Sequence, residues 1–285
     1  MKVEEIITER IVGLLERGTI PWQRPWSGGE CPMNVVTKRR YRGVNSFVLA
    51  CSDYSSPYWA TYKQINALGG NVKKGEKGHP VVFWKWFIKK ERDENGEEKE
   101  KKIPMLRYYT VFNVEQTINI DKKKIPALPE MHNEEEKIDI CENIVKAMPK
   151  RPAIESKEQK AYYSPLADTV NMPKFESFVG AKEYYATLFH ELTHSTGHEK
   201  RLNRKGVMGV VMFGSEDYSK EELIAEMGAA FLCGHCQIEN KTIENNAAYI
   251  KSWLGVLKED KKMVITAAAQ AQKAFDFIVG EEVES

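Results

Sequence analysis

Apolar positions in residues 3–17 recur every three or four residues, with Val3, Ile6, Ile7, Ile11, Leu14 and Leu15 on one stripe and Gly18 behind it. That spacing predicts an amphipathic opening helix. Pro21 and Pro25 then forbid helix and hold Trp22 and Trp26 in fixed positions. Tyr58 to Ile65 predicts a short helix ended by Gly69-Gly70, and Val72 to Gly78 predicts a strand and basic turn feeding a strand over Val81–Phe87. Segment 89–102 is almost wholly charged around Asn95-Gly96 and predicts an exposed hairpin loop, with Leu106 to Val114 as the return strand. Lysines and prolines mark a linker at 121–135, and a helix follows over 135–148. Ala161–Ser164 and Asp168–Met172 predict strands, the second a candidate edge for substrate addition. Four helical segments complete the chain: the run from Gly180 towards Gly197, Ser219–Leu232, 243–258 and 260–279. The pattern predicts an α+β chain, with a small α+β unit at 1–120 and a mostly helical one at 136–285.

Composition adds little until it is divided. The 285 residues are 42% hydrophobic and 29% charged, and no apolar run is long enough for a membrane span. The start Met1-Lys2-Val3-Glu4-Glu5 lacks a secretion-signal layout, so the expectation is a cytoplasmic protein with no membrane partner. Five scattered cysteines argue against a disulfide scaffold, and Cys233-Gly234-His235-Cys236 reads as buried thiols. Residues 1–125 carry 23 basic against 15 acidic side chains, a net of +8, while the remainder carries 19 against 26, a net of −7. Such a split predicts a basic unit facing a polyanion. The near-neutral total excludes a pure DNA mimic, which needs an acidic surface.

The helix after Gly180 contains His190-Glu191-Leu192-Thr193-His194, an H-E-x-x-H sequence. Residues four apart share a helix face, so both imidazoles reach one tetrahedral Zn²⁺, and Glu191 is set to take a proton from a water as general base. Catalytic zinc needs a third protein ligand. His198 continues the spacing, but Gly197 marks the helix end. Glu222 and Glu226 fall among small and apolar residues of the next helix, where an unpartnered carboxylate is costly. Tyr218, just ahead of them, is a possible oxyanion donor.

Here the chain resembles gluzincin-type peptidases, whose second helix supplies an acidic ligand and, four residues on, an acid that supports a histidine. The resemblance maps Glu222 to the ligand and Glu226 to the supporting carboxylate. A glutamate replaces the usual Asp or Asn at 226, so Glu226 and His198 stay open as alternative ligands.

The basic half interleaves cations with rings, the combination that single-stranded nucleic acid requires for its phosphates and unstacked bases. The candidate contacts are Trp22, Arg24, Trp26, Arg39, Arg40, Tyr41, Arg42, Asn45, Lys63, Lys73, Lys74 and Lys77. No helix-turn-helix or zinc-finger spacing indicates base reading in a duplex. The segments from Pro21 to Trp26, Tyr41 to Asn45, Trp59 to Gln64, Gly69 to Gly78 and Val111 to Gln116, with His190 to His198 behind them, resemble ArdC-type antirestriction proteins. That resemblance implies a single-stranded-DNA-binding domain at 1–120 joined to a zincin-like metallopeptidase domain at 136–285. It also implies zinc, a peptide or protein substrate, and plasmid or conjugation biology in which incoming DNA escapes restriction. The competing reading is a non-enzymatic DNA-protecting protein with structural or vestigial zinc.

Overall fold

The computed structural model describes residues 2–23, 31–52, 54–92, 98–128, 131–204, 216–240 and 247–281. Helix α1 (Val3–Glu16) buries Ile7, Ile11, Leu14 and Leu15, the stripe the periodicity predicts. Strand β1 (Met33–Asn34) and helix α2 (Val44–Ala50) follow, then β2 (Tyr58–Thr61) and α3 (Tyr62–Ala67). Beyond them lie β3 (Asn71–Val72), the long strands β4 (His79–Arg92) and β5 (Glu98–Asn113), and β6 (Thr117–Ile118). The main sheet runs β1-β2-β5-β4, and β3 pairs with β6.

Two sequence expectations change here. Tyr58–Thr61 is strand, not helix: Trp59 pairs with Asn113 and Thr61 with Val111, which buries the Trp59 ring. The helix starts one residue later because Thr61 caps it, its hydroxyl accepting the Gln64 N–H at 3.3 Å. The charged segment 89–102 is likewise largely strand, paired out to Arg92 opposite Glu98. Its register sets Lys90 opposite Glu100 and Glu91 opposite Lys99.

In the second half, α4 (Glu134–Ala147) is capped by Asn133. Strands β7 (Ala153–Glu155), β8 (Tyr162–Ser164) and β9 (Thr169–Asn171) form a sheet in the order β7-β9-β8. The 168–172 strand is therefore central and paired on both sides, so it is no edge for substrate addition. Helices α5 (Ala181–Ser195), α6 (Glu216–His235), α7 (Ala247–Glu259) and α8 (Met263–Val279) complete the chain. No helix among the described residues is long and apolar enough to cross a membrane. All five cysteines are buried thiols outside any disulfide, including Cys233 and Cys236 at the end of α6.

The largest apolar cluster joins the two halves. Ile7, Ile11, Trp22 and Phe47 pack with Phe231, Trp253, Leu257 and Ala271, so residues on either side of 121–135 share one core. Helix α6 lies between this cluster and a second one of Leu188, Phe189, Leu192, Leu232 and Cys233. Its residues from Leu223 to Cys233 are buried on every side, small or apolar except for Glu226.

At the base of β4, His79 Nδ1 sits 2.7 Å from the Arg10 guanidinium and 3.1 Å from the Ser52 hydroxyl. Burial and the Arg10 charge push the His79 pKa from 6.5 down to about 4. Between those values the unfolded chain binds a proton that the folded chain refuses, so this contribution is complete above pH 6.5 and is lost as pH falls towards 4. In urea titrations at pH 7 and pH 5, His79→Gln is expected to lose less stability on acidification than wild type; an equal loss would refute the assignment.

Candidate metal centre

Helix α5 is fixed by its buried side, where Tyr185, Leu188, Phe189 and Leu192 enter the second cluster. Helix α6 crosses it at unusually short range. A Cβ built on Gly228 would stand 2.5 Å from Thr193 Cγ2 and 2.8 Å from its hydroxyl, so only glycine permits this approach. Thr193 cannot easily yield, because its hydroxyl donates to the Phe189 carbonyl at 2.7 Å. The approach sets the carboxylates of α6 against the imidazoles of α5.

His190 Nε2 and His194 Nε2 lie 3.1 Å apart. One Glu222 oxygen stands 3.5 Å from His190 Nε2 and the other 3.6 Å from His194 Nε2. Two donors each about 2.0–2.2 Å from a tetrahedral ion are about 3.3–3.5 Å apart. The three side chains thus converge at close to that spacing, and they are the one group of this kind among the described residues. Two imidazole nitrogens and a carboxylate oxygen suit a borderline divalent ion.

Each ring has a carboxylate behind it. Glu226 lies 3.4 Å from His190 Nδ1, within ion-pair reach though not aligned as a hydrogen bond. Glu221 lies 3.3 Å from His194 Nδ1. A proton held on Nδ1 by these acids leaves the Nε2 lone pairs facing Glu222. Glu221 is in turn gripped by Arg204, whose Nη2 and Nε donate at 2.5 and 3.1 Å. Arg204 also donates to the Thr193 carbonyl at 2.9 Å and to the Thr196 hydroxyl at 2.5 Å, tying the carboxylate to the end of α5.

The ionisation of the group follows from these contacts. Burial pushes the Glu222 carboxyl up, but the His194 charge, the His190 hydrogen bond and the Tyr218 hydroxyl outweigh it and hold it at about 2. Burial pulls the His190 ring down, yet Glu222 and Glu226 raise it well above its ordinary value. Burial also opposes charge on Glu221, and Arg204 and His194 more than offset it. Glu191 is buried, and its charge acts on both rings. Tyr218, read as an oxyanion donor, directs its hydroxyl at Glu222. His198 stands outside the group: it is buried in the turn after α5, its Nδ1 accepting the Lys200 N–H at 3.2 Å. Sequence reasoning missed Glu221 and Arg204. Glu221 adjoins Glu222 and could have been noticed; Arg204 carries no local signal.

The basic-half candidates are dispersed. Trp22 is 2% exposed and packs edge-on to Trp253 at 5.2 Å, so it is core and no platform for a base. Tyr41 is buried as well, its hydroxyl accepting from Asn34 at 3.4 Å. Both rings are candidate contacts by sequence, and packing against apolar neighbours makes them core instead. Arg42 pairs with Asp276 at 2.5 Å, and Asn45 brackets the backbone of Val82 with two 2.8 Å hydrogen bonds. Lys73 donates to the Glu115 carbonyl at 2.7 Å. Arg39, Arg40, Lys63, Lys74 and Lys77 are exposed. Arg24 and Trp26 lie outside the described residues.

Comparison with known proteins gives this geometry its family. Residues 1–112 match the family model for the N-terminal domain of anti-restriction factor ArdC, and residues 141–270 match a zincin-like metallopeptidase. The crystal structure of the antirestriction protein ArdC from plasmid R388 superposes with a TM-score of 0.76 at 37% identity, covering 98% of this chain and 97% of that one. The chain belongs to the ArdC antirestriction family. A Mn(II)-bound structure of the R388 protein superposes equally well, with a TM-score of 0.77 at 36% identity. The protein y4eC of Sinorhizobium fredii is 33% identical over 99% of this chain and 93% of its own length. Two DNA primases TraC of Escherichia coli are 34% identical over 98% of this chain, which spans only 27% and 20% of their lengths. The family thus fixes an ArdC-type N-terminal domain and a zincin-like metallopeptidase domain, as the sequence resemblance implies.

Gly228→Ala is expected to force α5 and α6 apart, with a loss of about 1–3 kcal/mol in urea unfolding. Wild-type stability in that variant would mean that the helices do not meet as closely as Thr193 and Gly228 require.

Proposed function

We propose that this antirestriction-family protein is a zinc-dependent peptidase that single-stranded DNA binding brings to its place of action. The reading rests above all on the matched spacing of His190, His194 and Glu222 with Glu191 buried beside them. His190, His194 and Glu222 would hold the ion. A divalent ion bound there would polarise a scissile carbonyl and lower the pKa of a water. The Glu191 carboxylate takes a proton from the attacking water and delivers it to the amine nitrogen as the C–N bond breaks. Glu221 and Glu226 keep the imidazoles turned, and the Tyr218 hydroxyl holds Glu222 in place. The Mn(II)-bound structure of the R388 relative supports a divalent metal as part of this reading. The net charge of +8 in residues 1–125 supports a polyanion partner for the N-terminal half.

With a protein substrate such as casein, Glu191→Gln is expected to cut peptide hydrolysis by about 10²–10⁴-fold while retaining bound metal. Undiminished hydrolysis would remove Glu191 from the reaction. If the variant loses hydrolysis but still protects transferred DNA in cells, the protective effect belongs to DNA binding alone. In equilibrium titrations with Zn²⁺, Glu222→Ala should abolish tight binding and Glu221→Gln should weaken it by about 10–100-fold. Unchanged affinity in both variants would move the ion elsewhere.

A further inference from the structure

Strands β4 and β5 pair well beyond the core that anchors them. At the base, Val81 and Val111 are buried on one face, and Val82 and Leu106 on the other. Further out, large apolar side chains lie open to solvent, with Phe83 41%, Trp84 52% and Trp86 59% exposed. A two-stranded ribbon with rings in water on both faces is marginal by itself, and exposed apolar patches of this kind mark interaction surfaces.

Residues opposite each other on the ladder share a face. One face therefore holds Phe83, Lys85 and Phe87 beside Met105, Arg107 and Tyr109. The Lys85 ammonium stands 5.3 Å from the centre of the Phe87 ring, and the Arg107 guanidinium 5.6 Å from it. The Phe83 and Tyr109 rings are 5.7 Å apart. At its inner end, Tyr109 shares a hydrogen bond with Tyr41, which follows the exposed Lys38, Arg39 and Arg40. Rings and cations thus lie together on this face of the ribbon. An apolar protein surface laid on it would bury Lys85 and Arg107 without counter-charges, a costly arrangement. Phosphates supply those charges, and only unpaired bases expose faces for the rings.

We propose that this face of the β4–β5 ribbon is where single-stranded nucleic acid docks, with bases on Phe83, Phe87 and Tyr109 and phosphates on Lys85 and Arg107. The inference rests on the single-stranded-DNA reading above and moves its main contacts away from the buried Trp22 and Tyr41.

The test is fluorescence anisotropy of the full-length protein with a labelled oligothymidylate, beside a duplex of equal length, over a range of salt. Phe83→Ala/Phe87→Ala is expected to lower single-strand affinity by about tenfold to a hundredfold. Lys85→Gln/Arg107→Gln should flatten the slope of log affinity against log salt by about 1.4, the share of two phosphate contacts. Circular dichroism and Zn²⁺ binding should match wild type in both. If wild type binds the oligonucleotide and both variants bind it equally, with the same salt slope, the ribbon is overturned while the single-stranded-DNA reading stands. If wild type fails to bind, that reading falls and takes the ribbon with it. Sedimentation showing a dimer that the ring variant dissolves, at unchanged DNA affinity, would make the face a contact between copies and also overturn the proposal.

Discussion

Helix α6 brings three carboxylates, Glu221, Glu222 and Glu226, against two imidazoles of α5 in a largely buried space, and that concentration of charge is the constraint on which the rest depends. Unmatched, such charges are among the costliest things a fold can bury. The protein matches them in pairs. Glu226 meets His190, Glu222 spans both rings, and Glu221 is divided between His194 and Arg204. The glycine at 228 and the apolar sides of both helices hold the partners within reach. The same interactions that make the site tolerable to the fold also leave the ring nitrogens aimed at one point.

How much of this was legible in the sequence differs from residue to residue. The His190 and His194 spacing is a property of any helix, so one turn of sequence suffices to place two rings together. Glu222 stood out because an acid among alanines and leucines demands a partner. Glu221 did not, because one step along a helix rotates a side chain by about 100°, and which neighbour awaits it there is decided by another segment. Arg204 belongs to such a segment, reaching the site through a turn that no periodicity describes.

The N-terminal half shows the same division. Runs of β-branched and aromatic residues announced β4 and β5, although the charged distal rungs hid their true length. The short elements β1, α2, β7 and the strand over Tyr58–Thr61 are defined by pairing and packing with distant residues, and local pattern cannot supply that. The aromatic residues were the hardest case. Trp22 and Trp84 look alike as letters in a basic region, yet one is wedged against Trp253 and the other stands in water. The distinction arises only when α7 closes over the first half.

That closure has a consequence for separating the two halves. Helix α6 offers its carboxylates to α5 while Leu223, Met227 and Phe231 lie in the core completed by α1, α2 and Trp22. A break at 121–135 would peel a dry seam open along the back of the very helix that holds the acids. The two halves therefore depend on one shared seam. Similarity to relatives runs through both, spanning 93% of the Sinorhizobium relative and 27% of one TraC primase.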